Sequence, residues 1–212
     1  MICDPGQNVT LLPLKQCSDM TSRANPQGKG LVPVLDAWRS AQPAIVEAKS
    51  AERLLTDYFT ALLVLSAEFS FKPRQGVPYY LYLAGGEWRL SLVSPTEWGE
   101  RGAGTFAAAC QLRADMTWEL QLREDVASEP GLVEALQHFH ENFVAMLESP
   151  DTLEQGLPFY VNNLPYYRRL FASGLASSLA QSMSLAGLTG KSSQQWLKGL
   201  PQGPLKLVGP VG

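Results

Sequence analysis

The sequence is poor in the residues and motifs that most often carry catalysis. It has 2 histidines and 3 cysteines in 212 residues, and charged residues make up only 17% of it. No G-x-S-x-G nucleophile elbow occurs. Gly190-Lys191-Ser192 looks like the end of a phosphate-binding loop, but Leu185 stands where that motif requires its first glycine. These absences argue against a serine hydrolase and against a P-loop nucleotide-binding protein.

The histidines and cysteines also fail to form a metal-binding pattern. His138 and His140 are two residues apart in a predicted helix, which places them on roughly opposite faces. Cys3, Cys17 and Cys110 are odd in number and fit no zinc spacing. We therefore predict no metal and no cofactor. The N-terminus lacks a basic stretch before an apolar run, so we expect no secretory signal, free thiols and a cytoplasmic protein.

The net charge is small, at −3, but it is unevenly distributed. Residues 1–113 sum to +1, residues 114–154 to −9 and residues 155–212 to +5. The small total argues against nucleic acid as a partner. The segmentation has two interpretations. Either the basic C-terminal part lies against the acidic segment in the fold, or the two face different partners.

Residues 170–190 are uncharged and about long enough to span a bilayer. They also contain hydroxyl and amide side chains that a bilayer cannot satisfy, including Ser173, Ser177, Ser178, Gln181, Ser182 and Ser184. We predict a helix of small residues that packs closely on the body of the protein. Attachment to a membrane surface through 168–190 is the weaker alternative.

Periodicity predicts an α+β fold, a four-stranded antiparallel β-meander flanked by α-helices. Apolar residues recur at helical spacing over about 50–69, 130–148 and 158–190, with Ser50 as the first N-cap. Alternation within about 78–122 predicts strands at 79–83, 88–93, 106–112 and 116–122. The sheet is thus followed by a helical part at about 130–190.

The same alternation assigns side chains to the two faces of the sheet. Tyr80 and Tyr82 leave one face, and Tyr79 leaves the other. Phe106 is expected on the same face as Ala108. Aromatic residues on both faces mean that both are covered or that one carries a site, which makes Tyr80 and Tyr82 candidate ligand-binding residues.

The predicted elements suggest a single α+β domain at 31–190. Residues 1–30 contain turn signals without a periodic apolar face, and we expect a flexible segment there. Residues 191–212 are rich in proline and glycine and are predicted to form a flexible tail. The sequence does not distinguish Met1 from Met20 as the start of translation.

The hexapeptide Ser-Pro-Thr-Glu-Trp-Gly that begins at Ser94 predicts a short helix. Ser94 is a suitable N-cap, Pro95 suits the first turn, and Glu97 stands where it closes a capping box. Gly99 can end the turn. Capping does not explain Trp98, which either covers the edge of the sheet or contacts a ligand.

A second aromatic segment adjoins two arginines. The tetrapeptide Leu-Pro-Phe-Tyr at 157–160 recurs seven residues later as Leu-Pro-Tyr-Tyr. A basic pair follows, so that Tyr166, Tyr167, Arg168 and Arg169 are consecutive. The aromatic side chains are expected to wedge the following helix against the core. Alternatively, these four residues form a surface that grips a partner.

Several motifs between Phe71 and Trp118 occur together in order. They are Lys72-Pro73, Tyr79-Tyr80-Leu81-Tyr82, Ser91, Ser94-Pro95, Glu97-Trp98-Gly99, Phe106, Leu112, Asp115-Met116 and Trp118. This series resembles the uncharacterised family known as domain of unknown function 2452, which has bacterial and eukaryotic members, and residues 25–31 resemble it as well. The resemblance covers about half of the chain. It implies that the part from about 130 is a bacterial extension, and it implies no activity.

The sequence therefore predicts a protein of unknown function that acts as a non-enzymatic binding or adaptor protein for a protein partner or a small molecule. The alternative is a small-molecule enzyme that uses carboxylates near the sheet, with Glu97, Asp115 and Glu119 as candidates. Two carboxylates with different pKa values could divide the acid and base roles. A peripheral membrane protein is a further alternative. The oligomeric state and the identity of the ligand are not determined by the sequence.

Overall fold

The computed structural model describes residues 38–39, 41–99, 102–158, 164–201 and 203–208. The segment 1–30, predicted to be flexible, lies outside the described residues. The elements in chain order are α1 (Ala51–Ser66), β1 (Pro78–Ala84), β2 (Glu87–Ser91), α2 (Pro95–Trp98), β3 (Thr105–Leu112), β4 (Trp118–Leu122), α3 (Pro130–Glu148), α4 (Tyr166–Leu185), α5 (Ser193–Lys198) and α6 (Pro204–Val208). Short 3-10 turns occur at Val126–Ser128 and Leu153–Gly156. The predicted α+β class is confirmed.

Helix α1 begins at the predicted cap and occupies the centre of the fold. The Ser50 Oγ accepts a hydrogen bond from the Arg53 backbone N–H at 3.2 Å. Most of the helix is buried, because it contacts β4 on one side and α3, α4 and α6 on others. The helix ends at Ser66, three residues before the predicted end. There the chain becomes extended, and Glu68 exchanges backbone hydrogen bonds with β2.

The sheet has the spatial order β2-β1-β3-β4, and all three pairings are antiparallel. The four predicted strands and their antiparallel pairing are confirmed. The order departs from that of a simple meander, because β3 pairs with the free edge of β1 and not with β2. The connection from β2 to β3, which contains α2, therefore passes β1.

A register shift between β1 and β3 changes the face on which Phe106 lies. Leu81 pairs with Ala108, but the next residue, Tyr82, pairs with Phe106, so β3 contains one extra residue at Ala107. Phe106 consequently lies with Tyr82, at a ring distance of 5.7 Å, and not on the core face with Ala108 as strict alternation predicts. A bulge adds one residue to one strand, so the residues beyond it point to the opposite face. The alternation of residue types in the sequence does not reveal this change.

Helix α4 packs against the chain that precedes α1, as predicted for a helix of small residues. A Cβ on Gly174 would lie 2.0 Å from the Ala41 carbonyl oxygen, so only glycine permits this approach. Ser178 and Ser182 are buried, and Ser182 donates a hydrogen bond to the Glu47 carbonyl. Within the described parts of the chain, every helix is too short or too polar to cross a lipid bilayer.

The segment 193–208 differs from the flexible tail that its prolines and glycines predict. Helices α5 and α6 bury Trp196, Leu207 and Val208. Helix α5 contacts α3, and α6 contacts α1 and α3. These three apolar side chains are too few to form an amphipathic pattern of their own, but they fill space that the other helices leave at the core.

Candidate functional site

A groove of about 770 Å³ lies at the edge of the sheet that β2 forms. Its walls come from segments that are distant in sequence, namely residues 68–71, Ala84, residues 89–91, Trp98, residues 102–104 and Arg168. The volume falls in the range of small-molecule sites in proteins. The lining combines aromatic rings, hydroxyl groups and guanidinium groups, which is the mixture that such sites use for affinity and orientation.

The first wall is the segment that leaves α1 and extends the sheet. The Glu68 N–H donates to the Trp88 carbonyl at 2.8 Å, and the Leu90 N–H donates to the Glu68 carbonyl at 3.0 Å. Phe71 stacks on Tyr79 at a ring distance of 5.4 Å, which anchors this segment to the core. Sheet pairing and aromatic stacking therefore hold Phe69 and Ser70 in place at the groove.

The second wall is Trp98, which the predicted capping box positions. The Glu97 carboxylate accepts hydrogen bonds from the Ser94 N–H at 2.8 Å and the Ser94 hydroxyl at 2.7 Å, and the Ser94 Oγ accepts from the Glu97 N–H at 3.3 Å. Gly99 ends the helix at φ 55°, in the left-handed region. This closed turn presents the Trp98 ring at the groove with 36% of its surface exposed.

The third wall depends on a glycine. Gly104 has φ of +120°, and a Cβ there would lie 2.4 Å from the Leu83 carbonyl oxygen. Only glycine can therefore bring the start of β3 so close to the end of β1. The result is a section of groove wall that consists mainly of backbone, around Gly102 and Gly104.

The fourth wall is Arg168 in the first turn of α4. Its guanidinium donates from Nη1 to the Ala67 carbonyl at 3.1 Å and lies 5.6 Å from the centre of the Phe69 ring. The Nε of Arg168 is buried and has no hydrogen-bond partner among the described residues. Burial lowers the pKa of Arg168, while the nearby charge of Glu68 acts in the opposite direction. Arginine nevertheless stays protonated, so the groove contains a partly desolvated cation.

A second guanidinium, that of Arg89, lines the groove in a looser arrangement. The distance from its Nε to the Glu68 Oε2 is 3.6 Å, and the two side chains are 51% and 68% exposed. An ion pair this open to water contributes little to stability. Among the residues that the structure describes, two cations and one carboxylate line the groove, and their charges sum to a net positive charge.

The structure brings two of the predicted binding residues together, Trp98 and Arg168. Tyr80 and Tyr82 lie on the sheet face opposite the core and outside the groove lining. Tyr82 is buried there and donates a hydrogen bond from its hydroxyl to the Val93 carbonyl at 2.9 Å. It therefore holds the loop after β2 in place.

The remaining predicted binding residues are exposed on the first turn of α4. The rings of Tyr166 and Tyr167 contact each other edge-to-face at 5.5 Å. Arg169 is exposed next to them. They do not line the groove, although Arg168 in the same turn does.

The three predicted catalytic carboxylates are separated. Glu97 is exposed in the capping box, and its hydrogen bonds from Ser94 lower its pKa. Asp115 and Glu119 lie at the other end of the β3–β4 hairpin, in a network of charges. The Lys49 Nζ lies 2.5 Å from the Asp115 Oδ2, and an Arg113 nitrogen lies 3.1 Å from the Glu119 Oε2.

That network is centred on Asp57, a buried carboxylate within α1. Its side chain is 2% exposed and contacts Lys49 at 2.6 Å, Arg53 at 3.1 Å and Arg113 at 3.4 Å. Burial alone would raise the pKa of Asp115, but hydrogen bonds from Lys49 and its other neighbours outweigh it and lower that pKa. The network joins α1, the segment before it and the β3–β4 hairpin.

The histidines and Cys110 occupy separate places. The His138 Nδ1 lies 3.3 Å from the Asn142 side-chain nitrogen, and His140 contacts the Phe59 ring. Cys110 is a buried free thiol whose pKa burial raises. In the described ranges, no group of three or more histidine, cysteine or acidic side chains is placed to hold a metal.

Sequence reasoning missed most of the groove. Phe69 was predicted to end a helix, yet it lies in the extended segment after α1. Arg89 was only one polar position of an alternating strand, and Ser70 belonged to no motif. The one available signal was Lys72-Pro73, because a proline disfavours helix at the preceding residues and predicts an extended approach to the sheet.

Comparison with known proteins agrees with the resemblance that the motifs indicate. Residues 45–139 match the family described as Protein of unknown function (DUF2452). These residues, here called the DUF2452 segment, are similar to that family and make up slightly less than half of the chain. The DUF2452 segment contains α1, the whole sheet and the first half of α3, and hence every wall of the groove except Arg168. No curated protein and no solved structure matches the chain.

Proposed function

We propose that this protein is a non-enzymatic binding protein that holds a small molecule in the groove at the β2 edge. The observation that carries the proposal is the Arg168 guanidinium, which is partly buried in the groove wall with an Nε that has no acceptor in the described part of the chain. A buried donor without an acceptor costs about 1–3 kcal/mol. A ligand that supplies the acceptor would recover this free energy.

The lining of the groove favours binding over catalysis. It contains no histidine or cysteine among the described residues, and its carboxylate, Glu68, is 68% exposed and lies beside Arg89. Acid–base and nucleophilic catalysis require such groups in contact with each other and with the substrate. Aromatic rings and guanidinium groups recognise and orient a ligand without such chemistry.

The carboxylate enzyme is the weaker proposal. Asp115 and Glu119 are each engaged in an ion pair, with Lys49 and Arg113 respectively. Neither residue lines the groove. These contacts favour a structural role, since a catalytic carboxylate must reach a substrate.

We further propose that the protein binds its ligand in the cytoplasm. The buried free thiol of Cys110 is consistent with a reducing compartment. Attachment to a membrane surface is a weaker proposal, because the apolar residues of α4, such as Phe171 and Leu175, are buried in the protein core. A helix that lies on a membrane needs an exposed apolar face.

The test is native mass spectrometry of the protein purified from its own host, compared with its denatured mass. We expect an excess mass that disappears on denaturation. Ser70 is exposed at the groove, so Ser70→Trp fills the site and should abolish the excess. The matched control is Ser128→Trp, at an exposed serine outside the groove, which should retain it.

Two results contradict the proposal. An equal excess mass in Ser70→Trp places the ligand elsewhere. A wild type that carries no excess mass, and whose groove residues show no NMR shift changes in a metabolite extract of the host, shows that the groove does not bind a small molecule.

A further inference from the structure

The groove places cationic and aromatic groups side by side. Arg168 and Arg89 carry the charges, and Trp98 and Phe69 supply the rings. The Nη1 of Arg168 already donates a hydrogen bond to the Ala67 carbonyl, which fixes the guanidinium in one orientation. A fixed guanidinium presents its remaining N–H groups as a planar fork, and that geometry fits two oxygens of one carboxylate or phosphate group.

We propose that the ligand of this groove carries an oxyanion, a carboxylate or phosphate group, next to an apolar ring, and that Arg168 binds the oxyanion. This inference rests on the proposed function and names the chemical class of its ligand. The ring of the ligand contacts Trp98, whose indole is held at the groove by the capping box of α2.

The electrostatics of the groove support an anion. Burial lowers the pKa of Arg168, which means that its charge has lost part of its hydration. Glu68 compensates only in part, because it is 68% exposed and also lies 3.6 Å from Arg89. Of the charged side chains described at the groove, two cations would attract an anion and one carboxylate would repel it. The attraction would be stronger than on an open surface, since the partly buried site screens it less.

The position of Arg168 in the sequence adds a second consequence. The DUF2452 segment ends at residue 139, and Arg168 lies outside it. The cation that closes the groove is therefore supplied by the C-terminal helical part, which contacts the family segment through α1 and α4. A DUF2452 groove without this arginine would share the aromatic walls but would lose the preference for an oxyanion.

The experiment is an NMR titration of the full chain with four probes: benzoate, phenyl phosphate, neutral benzamide and inorganic phosphate. We expect shift changes at the Trp98 indole N–H with the two aromatic anions. Benzamide should bind at least about tenfold more weakly, because hydrogen bonds to a charged group are worth about a factor of ten or more in affinity. Tighter binding of benzoate indicates a carboxylate ligand, and tighter binding of phenyl phosphate indicates a phosphate ligand. Inorganic phosphate shows whether an oxyanion binds without a ring.

The variants separate Arg168 from its neighbour. Arg168→Gln should lower the affinity for the anions by roughly tenfold or more and leave the affinity for benzamide unchanged. Arg169→Gln removes the same charge from an exposed position of the same helix turn and should change no affinity by more than about twofold. If Arg168→Gln does not fold, Arg89→Gln is the second variant. We expect it to lower the affinity for the anions by about threefold to tenfold.

Three results overturn the inference. If benzamide binds as tightly as benzoate and Ser70→Trp abolishes the binding of both, the groove is a binding site without a preference for an oxyanion. Equal anion affinities in Arg168→Gln and Arg169→Gln exclude Arg168 as the binding residue. Shift changes with none of the four probes exclude an oxyanion beside a ring, while the native mass comparison still decides separately whether the groove holds another ligand.

Discussion

Replacing Asp57 by asparagine should cost more stability than any exposed charge change. Asp57 is 2% exposed and contacts three cations, at 2.6 Å to Lys49, 3.1 Å to Arg53 and 3.4 Å to Arg113. Removal of one partner from a buried ion pair costs about 3–5 kcal/mol. The three cations are 15–29% exposed, so water screens part of the loss. We expect Asp57→Asn to lower the free energy of unfolding by about 2–3 kcal/mol.

The assay is urea unfolding followed by circular dichroism, with the slope against urea compared between variants. For a chain of this size, the same loss corresponds to a decrease in Tm of about 4–12 °C. The control is Asp125→Asn, which breaks the exposed pair of Asp125 with Arg123 and should have a much smaller effect. If Asp57→Asn destabilises the protein no more than this control, the network does not hold α1 to the hairpin.

A double-mutant cycle tests the same reasoning independently. Arg53 contacts Asp57 directly, at 3.1 Å. Because the two residues share one interaction, the losses in Asp57→Asn and Arg53→Gln should sum to more than the loss in the double variant, by about 0.5 kcal/mol or more. Strict additivity would mean that the ion pair contributes nothing beyond the separate residues.

The remaining predictions concern packing and titration. Gly174→Ala should destabilise the protein by about 1–3 kcal/mol in urea unfolding, because the new Cβ would lie 2.0 Å from the Ala41 carbonyl oxygen. Burial raises the pKa of Tyr82 to about 12, so its contribution to stability is present below about pH 10 and should be lost between pH 10 and 12, in unfolding measured against pH. The pKa of Asp115 is lowered in the folded state, so its contribution is present above the unfolded value of about 3.9 and should be lost as the pH falls through the folded pKa. Lys49→Met should reduce that loss at acidic pH.

Each of these predictions has a matched control. Gly131→Ala adds a Cβ with no atom within 4 Å and should be neutral or slightly stabilising, so equal losses at both glycines would contradict the packing argument. Tyr82→Phe should lose the contribution of the hydrogen bond to Val93 and flatten the decline above pH 10. If the loss of stability above pH 10 is unchanged in Tyr82→Phe, another group causes it. If NMR shows that Asp115 titrates at its usual pKa in the folded protein, the third prediction is contradicted.

Local chemistry alone was sufficient to predict several elements. The caps of α1 and α2 follow from Ser50 and Ser94, because a cap depends on residues within one turn of the helix. The four strands follow from alternation in a stretch bounded by glycine and proline. Gly85-Gly86, a pair of residues typical of hairpin turns, lies between β1 and β2.

Other features depended on contacts between distant residues. The bulge that moves Phe106 to the face of Tyr82 depends on how β3 pairs with β1, and no residue of β3 signals it. The early end of α1 depends on the pairing of Glu68 with β2. Helix propensity is weak compared with such tertiary interactions, so a pattern that continues to Phe69 can still be interrupted at Ser66.

The candidate site divides in the same way. The sequence by itself determined that Trp98 would be held in a capped turn and that Arg168 would lie in a helix, since both facts follow from neighbouring residues. Only the tertiary structure decided that the two meet at one groove with Phe69 and Arg89. The physical reason is that the groove forms where four segments are brought together by burial of their apolar neighbours, and burial is a property of the whole chain.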